Sequence, residues 1–246
     1  MHHPEDQTVL VVGASGTTGK LLVEQLLSRG SEVRAVLRSR AGLPEALRNH
    51  DRLSMIQANL LDLDERDLQK LTEGCSTAAS CLGHNMTLSG VFGPPYRLVT
   101  EATRRLTKAL KANTREKPAR FLLMNSAGNR NRDLPEPVTI GHWAAIGLIR
   151  LLVPPHADNE QAANFLRLDI GQNDTAVEWC VVRPDTLTDE PASTTYQVCA
   201  SPTRSAIFDP GRTSRLNVAR FMADLITDDT TWTRWRGQMP VVYDNT

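Results

Sequence analysis

The sequence predicts an α/β fold: a doubly wound, mostly parallel sheet with a small C-terminal lobe. Two observations carry this reading. Apolar runs of strand length alternate with helix-length apolar patterns through most of the chain, giving five or six βα units in one sheet. The first of these units is joined by a tight turn carrying three glycines, Val9-Leu10-Val11-Val12-Gly13-Ala14-Ser15-Gly16-Thr17-Thr18-Gly19. At 246 residues, the chain is long enough to bury a large core, and α/β folds of this size are often one domain. It is read as one domain over 1–246.

Each glycine of the turn has a mechanical reason. Gly13 takes the turn conformation at the strand end, Gly16 removes a side chain where a pyrophosphate would lie, and Gly19 lets the helix pack close to the sheet. The first-turn N–H groups of the helix, helped by its dipole, then face the phosphates. Ser15, Thr17 and Thr18 add hydroxyl donors. Nucleotide binding is the expected task of this unit. Leu21, Leu22, Leu26 and Leu27 supply the apolar face of the helix, which runs to about Ser28 with Gly30 as its stop.

The second strand, Glu32 to Leu37, ends in Arg38-Ser39-Arg40. An NAD-preferring fold carries an acid here, about 20 residues after the glycines, to hold the ribose hydroxyls. Arg38 occupies that position with Arg40 behind it, and a guanidinium suits a 2′-phosphate through forked, charge-assisted hydrogen bonds. The expected cofactor is therefore NADP(H). A short helix follows near Pro44 to Asn49, then a strand from about Leu53 to Ala58. Asn59 and Leu60 leave that strand where an adenine would be sandwiched. Asp62 with Glu65 has capping-box spacing for a helix to about Glu73. A fourth strand, Thr77 to Leu82, ends in Gly83-His84; the glycine lets a dinucleotide pass close to the backbone. His84 faces the same crevice, where a loop histidine is more often simply exposed than catalytic.

Residues 84–95 form a loop closed by Gly93-Pro94-Pro95, before a long helix from Tyr96 to about Ala112. A fifth strand, Arg120 to Met124, runs into Asn125-Ser126-Ala127-Gly128. The polar segment from Asn129 to Pro137 reads as too polar for core. Thr139 to Val153 is patterned as an apolar helix, halted by Pro154-Pro155. The next helix is expected to start at Asp158, acting as its cap with Gln161 as capping partner, and to run to about Leu168. A sixth strand, Glu178 to Val182, leads into Arg183-Pro184-Asp185. Short strands near Tyr196–Cys199 and Ala206–Phe208 suggest a small lobe. A helix from Leu216 to Ile226 and a strand from Met239 to Tyr243 complete the chain.

Composition narrows the classes of function. Hydrophobic residues make up 40% and charged residues 23%, an ordinary globular balance. Twenty-eight basic residues against 28 acidic ones leave no net charge, so nothing in bulk favours nucleic acid or an anionic membrane. Cys75, Cys81, Cys180 and Cys199 show neither C-x-x-C spacing nor paired histidines, and no metal site is expected. Cys81 and Cys180 fall in apolar strand patterns as small hydrophobes. Without a signal core or an 18-residue uncharged run, the expected location is the cytoplasm.

With the glycine turn, Arg38, Leu82-Gly83, Asn125-Ser126-Ala127 and Val182-Arg183-Pro184 in order, the chain resembles the short-chain dehydrogenase/reductase superfamily. Within it, the chain is similar to the atypical, NmrA-like NAD(P)H-binding branch, which includes the flavin reductase/biliverdin reductase B group. The Arg-Pro ending followed by Leu187-Thr188-Asp189 is the more specific mark of this branch. The resemblance implies a Rossmann fold of strand order 3-2-1-4-5-6 with an added seventh strand, and a cofactor lying across the carboxyl ends of the strands. It implies cofactor contacts at Leu82, Gly83 and Pro184, and matches Ser126 to the family's active-site serine. The substrate lobe would come mainly from about 129–157 and 186–215.

One departure bears on chemistry. Ordinary members of the superfamily use Tyr-x-x-x-Lys, the tyrosine as acid/base and the lysine lowering its pKa. None of Tyr96, Tyr196 and Tyr243 has Lys four residues on, and no lysine follows Lys117. The tyrosine place falls near His156 and the lysine place near Glu160. The histidine of the flavin reductase group is lost near Ala163; His156, a turn or two earlier, is the candidate substitute. Ser126 and His156 are thus the candidate catalytic residues. The reading that follows is an NADPH-dependent reductase passing hydride to a flavin-like, quinone or other conjugated small-molecule acceptor, which needs orientation and water exclusion more than a proton relay. Trp143, Phe92 and Tyr96 are candidate stacking surfaces. The alternative is a non-catalytic NAD(P) sensor working through a protein partner, with Ile140 to Val153 as a candidate face. A monomer or weak homo-oligomer is expected.

Overall fold

The computed structural model describes residues 8–84, 87, 92–113, 116–136, 153–190 and 194–245. The buried apolar run Thr8–Val12 forms β1, and α1 (Thr17–Ser28) begins directly after the glycine turn. Gly30, at φ +84°, adopts the left-handed conformation that closes α1 and donates to Leu27 O. The following elements are β2 (Glu32–Leu37), α2 (Glu45–Arg48), β3 (Leu53–Gln57), α3 (Glu65–Thr72), β4 (Cys75–Ser80), α4 (Leu98–Ala112) and β5 (Ala119–Met124). Beyond them lie α5 (Pro154–Phe165), β6 (Val177–Pro184), β7 (Thr186–Thr188), β8 (Tyr196–Cys199), β9 (Arg212–Ser214), α6 (Arg215–Thr227), α7 (Asp229–Trp235) and β10 (Val241–Asp244).

The main sheet runs β3-β2-β1-β4-β5-β6-β10-β8. This is the 3-2-1-4-5-6 order with β10 added in parallel to β6, and β8 closing the edge antiparallel to β10. Two apolar layers sandwich the sheet. On one face Leu22, Leu26, Val218 and Met222 of α1 and α6 pack on Val9, Val11 and Val182. On the other, Leu68, Leu106, Leu110 and Leu166 pack on Leu10, Val12 and Leu123. Alternate residues of β1 thus serve opposite layers, and the parallel strands β1 to β6 and β10 all end at one common edge.

Several expectations change at the element ends. Asp64, not Asp62, caps α3 by accepting Asp67 N–H at 2.8 Å; Asp62 sits in a 3₁₀ turn and takes a hydrogen bond from Asn59. Helix α5 starts four residues before Asp158, with Pro154 and Pro155 in its first turn, where a missing N–H costs nothing. The prolines open this helix. The stretch Ala206–Phe208 is a turn, and the lobe's strand pairing is β7 with β9. Strand β8 belongs to the main sheet, and α7, capped by Asp228, was not anticipated. Of the proposed helix Thr139–Val153, residues 139–152, including Trp143 and the apolar face from Ile140, lie outside the described residues, and Val153 is the cap position of α5.

The polar segment after β5 is the largest change. Asn129, Asn131 and Glu136 are buried, because Arg183 of β6 is wholly buried and needs acceptors there. Its guanidinium donates to Asn129 O (2.8 Å) and Glu136 Oε1 (2.7 Å), while Nε donates to Met239 O (2.6 Å). Glu136 Oε2 in turn accepts Asn131 N–H at 2.9 Å. A buried charge is tolerable only when paired and hydrogen-bonded in this way. Removing one partner strands the other. Glu136→Ala is expected to lower unfolding free energy by about 3–5 kcal/mol, measured by urea denaturation, and to open Arg130 and Arg132 to trypsin. A variant with wild-type midpoint and protease resistance would contradict this account of the pair.

Candidate functional site

At the carboxyl edge of β1 the glycine turn is built by contact. Gly13 lies at φ +75°, and a methyl group on it would stand 2.7 Å from the carbonyl carbon of Cys81. Only glycine meets both conditions. Cys81 N–H donates to Val12 O, so the β4 exit is stitched beside the turn. Burial pushes the Cys81 thiol up to about 12, which leaves it a neutral, space-filling side chain rather than a ligand or nucleophile. A methyl on Gly19 would collide with Gly13 O, which sets how closely α1 approaches the turn.

The N-terminus of α1 is open. Gly16 is its N-cap, no side chain caps it, and Gly16 and Thr17 are exposed. Ser15 is half-buried and Thr18 buried, so Ser15 and Thr17 are the hydroxyls on the accessible rim. First-turn N–H groups facing an exposed glycine are the donor set that a pyrophosphate accepts. The residues fit that group. Beside them, a methyl on Gly42 would stand 2.5 Å from Ser15 Cβ, so the turn Arg40–Gly42 is docked on the glycine turn. That contact brings Arg38 and Arg40 to the same rim, both exposed, with no ion pair on either guanidinium among the described residues. Leu60 is buried and Asn59 exposed at the neighbouring β3 exit.

At the centre of the edge, β5 and β6 are tied beyond their ladder: Asn125 N–H donates to Val182 O and Ala127 N–H to Pro184 O, each at 2.8 Å. Asn125 is the organiser here. Its Oδ1 accepts Ser126 N–H at 2.8 Å and a hydrogen bond from Asn129, and its Nδ2 donates to Asn159 O of α5 at 2.9 Å. Ser126 Oγ accepts Gly128 N–H at 3.2 Å, a turn-forming bond that leaves the hydroxyl hydrogen to donate elsewhere. A methyl on Gly128 would stand 3.5 Å from Ser126 Oγ and 3.7 Å from His156 Cε1. Ser126 and His156 therefore flank one glycine. Glu160, at the lysine place, pairs with Arg132 at 2.8 Å, and Ala163 is buried in the core.

Leu82 is half-buried and Gly83 exposed at the β4 exit. His84 is not the free loop histidine expected: its side chain is 5% exposed and its Nε2 lies 2.8 Å from Asp158 Oδ2. Asp158 does not cap its own helix. It caps α4, accepting Val99 N–H (2.8 Å) and Thr100 N–H (2.9 Å). The sequence marked Asp158 as a helix cap, and its partner His84 lies 74 residues earlier. Phe92 and Tyr96 are exposed at 56% each. Beyond β10, a cleft of about 420 Å³ is lined by residues including Arg204, Gly211, Arg212 and Tyr243. Among the described residues no cluster of His, Cys, Asp and Glu could hold a metal ion, and no helix is long and apolar enough to cross a membrane.

Comparison with known proteins places this geometry. A family model described as NAD(P)H-binding matches residues 13–229. Divinyl chlorophyllide a 8-vinyl-reductase, chloroplastic, of Arabidopsis thaliana is 30% identical over 109 residues, which are 41% of this chain and 25% of that protein. Protein TIC 62, chloroplastic, also of Arabidopsis thaliana, is 28% identical over 163 residues, 59% of this chain and 24% of that protein. The chain thus spans about a quarter of the length of the curated relatives it matches. A short-chain dehydrogenase/reductase of Veillonella parvula, solved with NADP, superposes with a TM-score of 0.68 at 17% identity, covering 97% of this chain and 94% of that one. A Streptococcus pneumoniae protein described as a candidate NADH-flavin reductase gives 0.66 at 18% identity, covering 97% and 100%. At such identities these structures establish the shared fold alone. Family match, strand order and glycine turn agree: the chain belongs to the NAD(P)H-binding family.

Proposed function

We propose that this chain is an NADPH-dependent reductase that delivers hydride to a flavin-like, quinone or other conjugated small-molecule acceptor. One observation carries the reading: the carboxyl edge offers an open phosphate cradle beside Arg38 and Arg40 and a donating hydroxyl on Ser126, without a Tyr-x-x-x-Lys pair. When bound, NADPH supplies the hydride. The chain's residues do the rest by placement. The α1 N-terminus with Gly13, Gly16 and Gly19 holds the pyrophosphate, Arg38 and Arg40 take the 2′-phosphate, and Asn59 and Leu60 border the adenine. Leu82, Gly83 and Pro184 line the path toward Ser126, which orients the nicotinamide or acceptor. An acceptor already conjugated enough to take hydride asks mainly for alignment and for exclusion of water. The cleft beyond β10 offers it room on the same edge. The reductase acts as a monomer or weak homo-oligomer in the cytoplasm, with neither nucleic acid nor membrane as partner.

The test is NADPH consumption by the purified chain against FMN, riboflavin, biliverdin and simple quinones, with NADH in parallel. Turnover with one of them, abolished in Gly16→Asp, is the expected result. Tight NADP(H) binding with no turnover would instead point to a sensor that reports to a protein partner. Arg38→Asp is expected to weaken NADPH binding about 10- to 100-fold while leaving NADH binding unchanged; equal losses would sink the 2′-phosphate assignment. For Ser126→Ala, turnover should drop about 3- to 10-fold, the worth of one hydrogen bond, at unaltered cofactor affinity. Unaltered turnover would leave the serine with its turn-forming bond alone.

A further inference from the structure

The pair His84–Asp158 has no part in the reading above. It is nevertheless buried at the carboxyl edge, where three segments meet. The β4 exit supplies His84, α5 supplies Asp158, and α4 supplies the two N–H groups that hold the carboxylate. Asp158 is 1% exposed, and its main-chain carbonyl also accepts the Thr100 hydroxyl at 2.9 Å, so its position is determined from both ends. The next residue, Asn159, holds Asn125 beside Ser126. One turn of α5 therefore fixes the β4 and β5 exits together.

Resting on the reductase reading, we infer that His84 is the proton donor of this crevice and that Asp158 is its positioning residue. The tautomer follows from the bonds. Both carboxylate oxygens already accept backbone N–H groups, and a carboxylate used in this way has nothing to donate. Nε2 must therefore carry the hydrogen, which leaves Nδ1 as the ring nitrogen that exchanges a proton. Gly83 precedes His84 with open space around it: among the described residues nothing lies within 4 Å of where a side chain would begin. The last pair of β4 and β5 is Ser80 opposite Leu123, and Gly83 and Ser126 each follow three residues later at the exits of these adjacent strands. His84 thus follows the β4 exit, next to the β5 exit that carries Ser126.

The step balances simply. Bound NADPH would supply the hydride, and the acceptor's oxygen or nitrogen would then hold the displaced electron pair. The doubly protonated His84 ring gives its Nδ1 proton to that atom and is left neutral with hydrogen on Nε2; water reprotonates Nδ1. The crevice thereby has an acid where the superfamily's tyrosine is missing, reached from β4 rather than from the helix that normally carries it.

The experiment is imidazole NMR on the full chain labelled with ¹⁵N-histidine, paired with kinetics of His84→Gln. Expected for the wild type are a hydrogen held on Nε2 across the pH range, titration at Nδ1, and a shift of both signals when NADP⁺ is added. Expected for His84→Gln are a kcat at least about 100-fold lower, loss of the pH-dependent limb of kcat, and NADP⁺ affinity within twofold of wild type, which also shows that the variant is folded. Asp158→Asn should abolish the fixed tautomer. An unprotonated Nε2 in the wild type, or a His84→Gln pH profile superimposable on the wild type, would overturn the inference. If the wild type binds NADP⁺ yet reduces no acceptor, the reductase reading fails separately. The NMR then decides: His84 signals that ignore NADP⁺ refute its place in the crevice, and signals that move uphold it.

Discussion

A wholly buried guanidinium organises the second half of this molecule. Arg183 ends β6 inside the protein, and a charge there is tolerable only if most of its hydrogens find acceptors. Those acceptors come from three distant places: the backbone before β10, the loop after β5, and Ala200 after β8. Glu136 neutralises the charge and carries the loop inward with it. The edge strands β10 and β8, the polar loop and the β6 exit thus share one anchor. An apolar residue at 183 would relieve the electrostatic demand, but nothing would then call Asn129, Asn131 and Glu136 off the surface.

The first half follows a different logic, that of close approach. Gly13 and Gly19 let strand, turn and helix touch without side chains between them, and Cys81 fills the space below as a neutral thiol. This half was legible in the sequence because its signals are local. A strand followed at once by spaced glycines and a leucine face determines β1, the turn and α1, and Gly30 marks where α1 stops. The termini of β2 and α2 were legible for the same reason. Arg38 stood out because a position that usually carries an acid holds its opposite charge.

What the sequence hid depends on contacts between segments far apart in the chain. Asp158 has the residue type of a helix cap, and it is one, but for α4, whose first turn begins 60 residues earlier. Polar content marked 129–136 as surface, and only the burial of Arg183 reverses that reading. Asp64 displaced Asp62 because the 3₁₀ turn before α3 had already engaged the earlier acid. His84 gave no sign of its partner. In each case residue chemistry was readable and the addressee was not, since a hydrogen bond across the fold leaves no periodicity behind.

Asp158 has one more consequence, which concerns where negative charge goes. Two helices, α1 and α4, begin at the carboxyl edge after neighbouring strands, and both direct the positive end of a dipole toward it. A polyanion arriving at this edge would meet two rival docking points. The protein has already spent one of them: the α4 end is filled by its own carboxylate, held on two N–H groups and screened from solvent. The α1 end carries no side-chain cap. A single internal acid thus makes two neighbouring helix ends unequal anion receptors, and gives any phosphorylated ligand a reason to favour the α1 end over the α4 end before a specific contact is made.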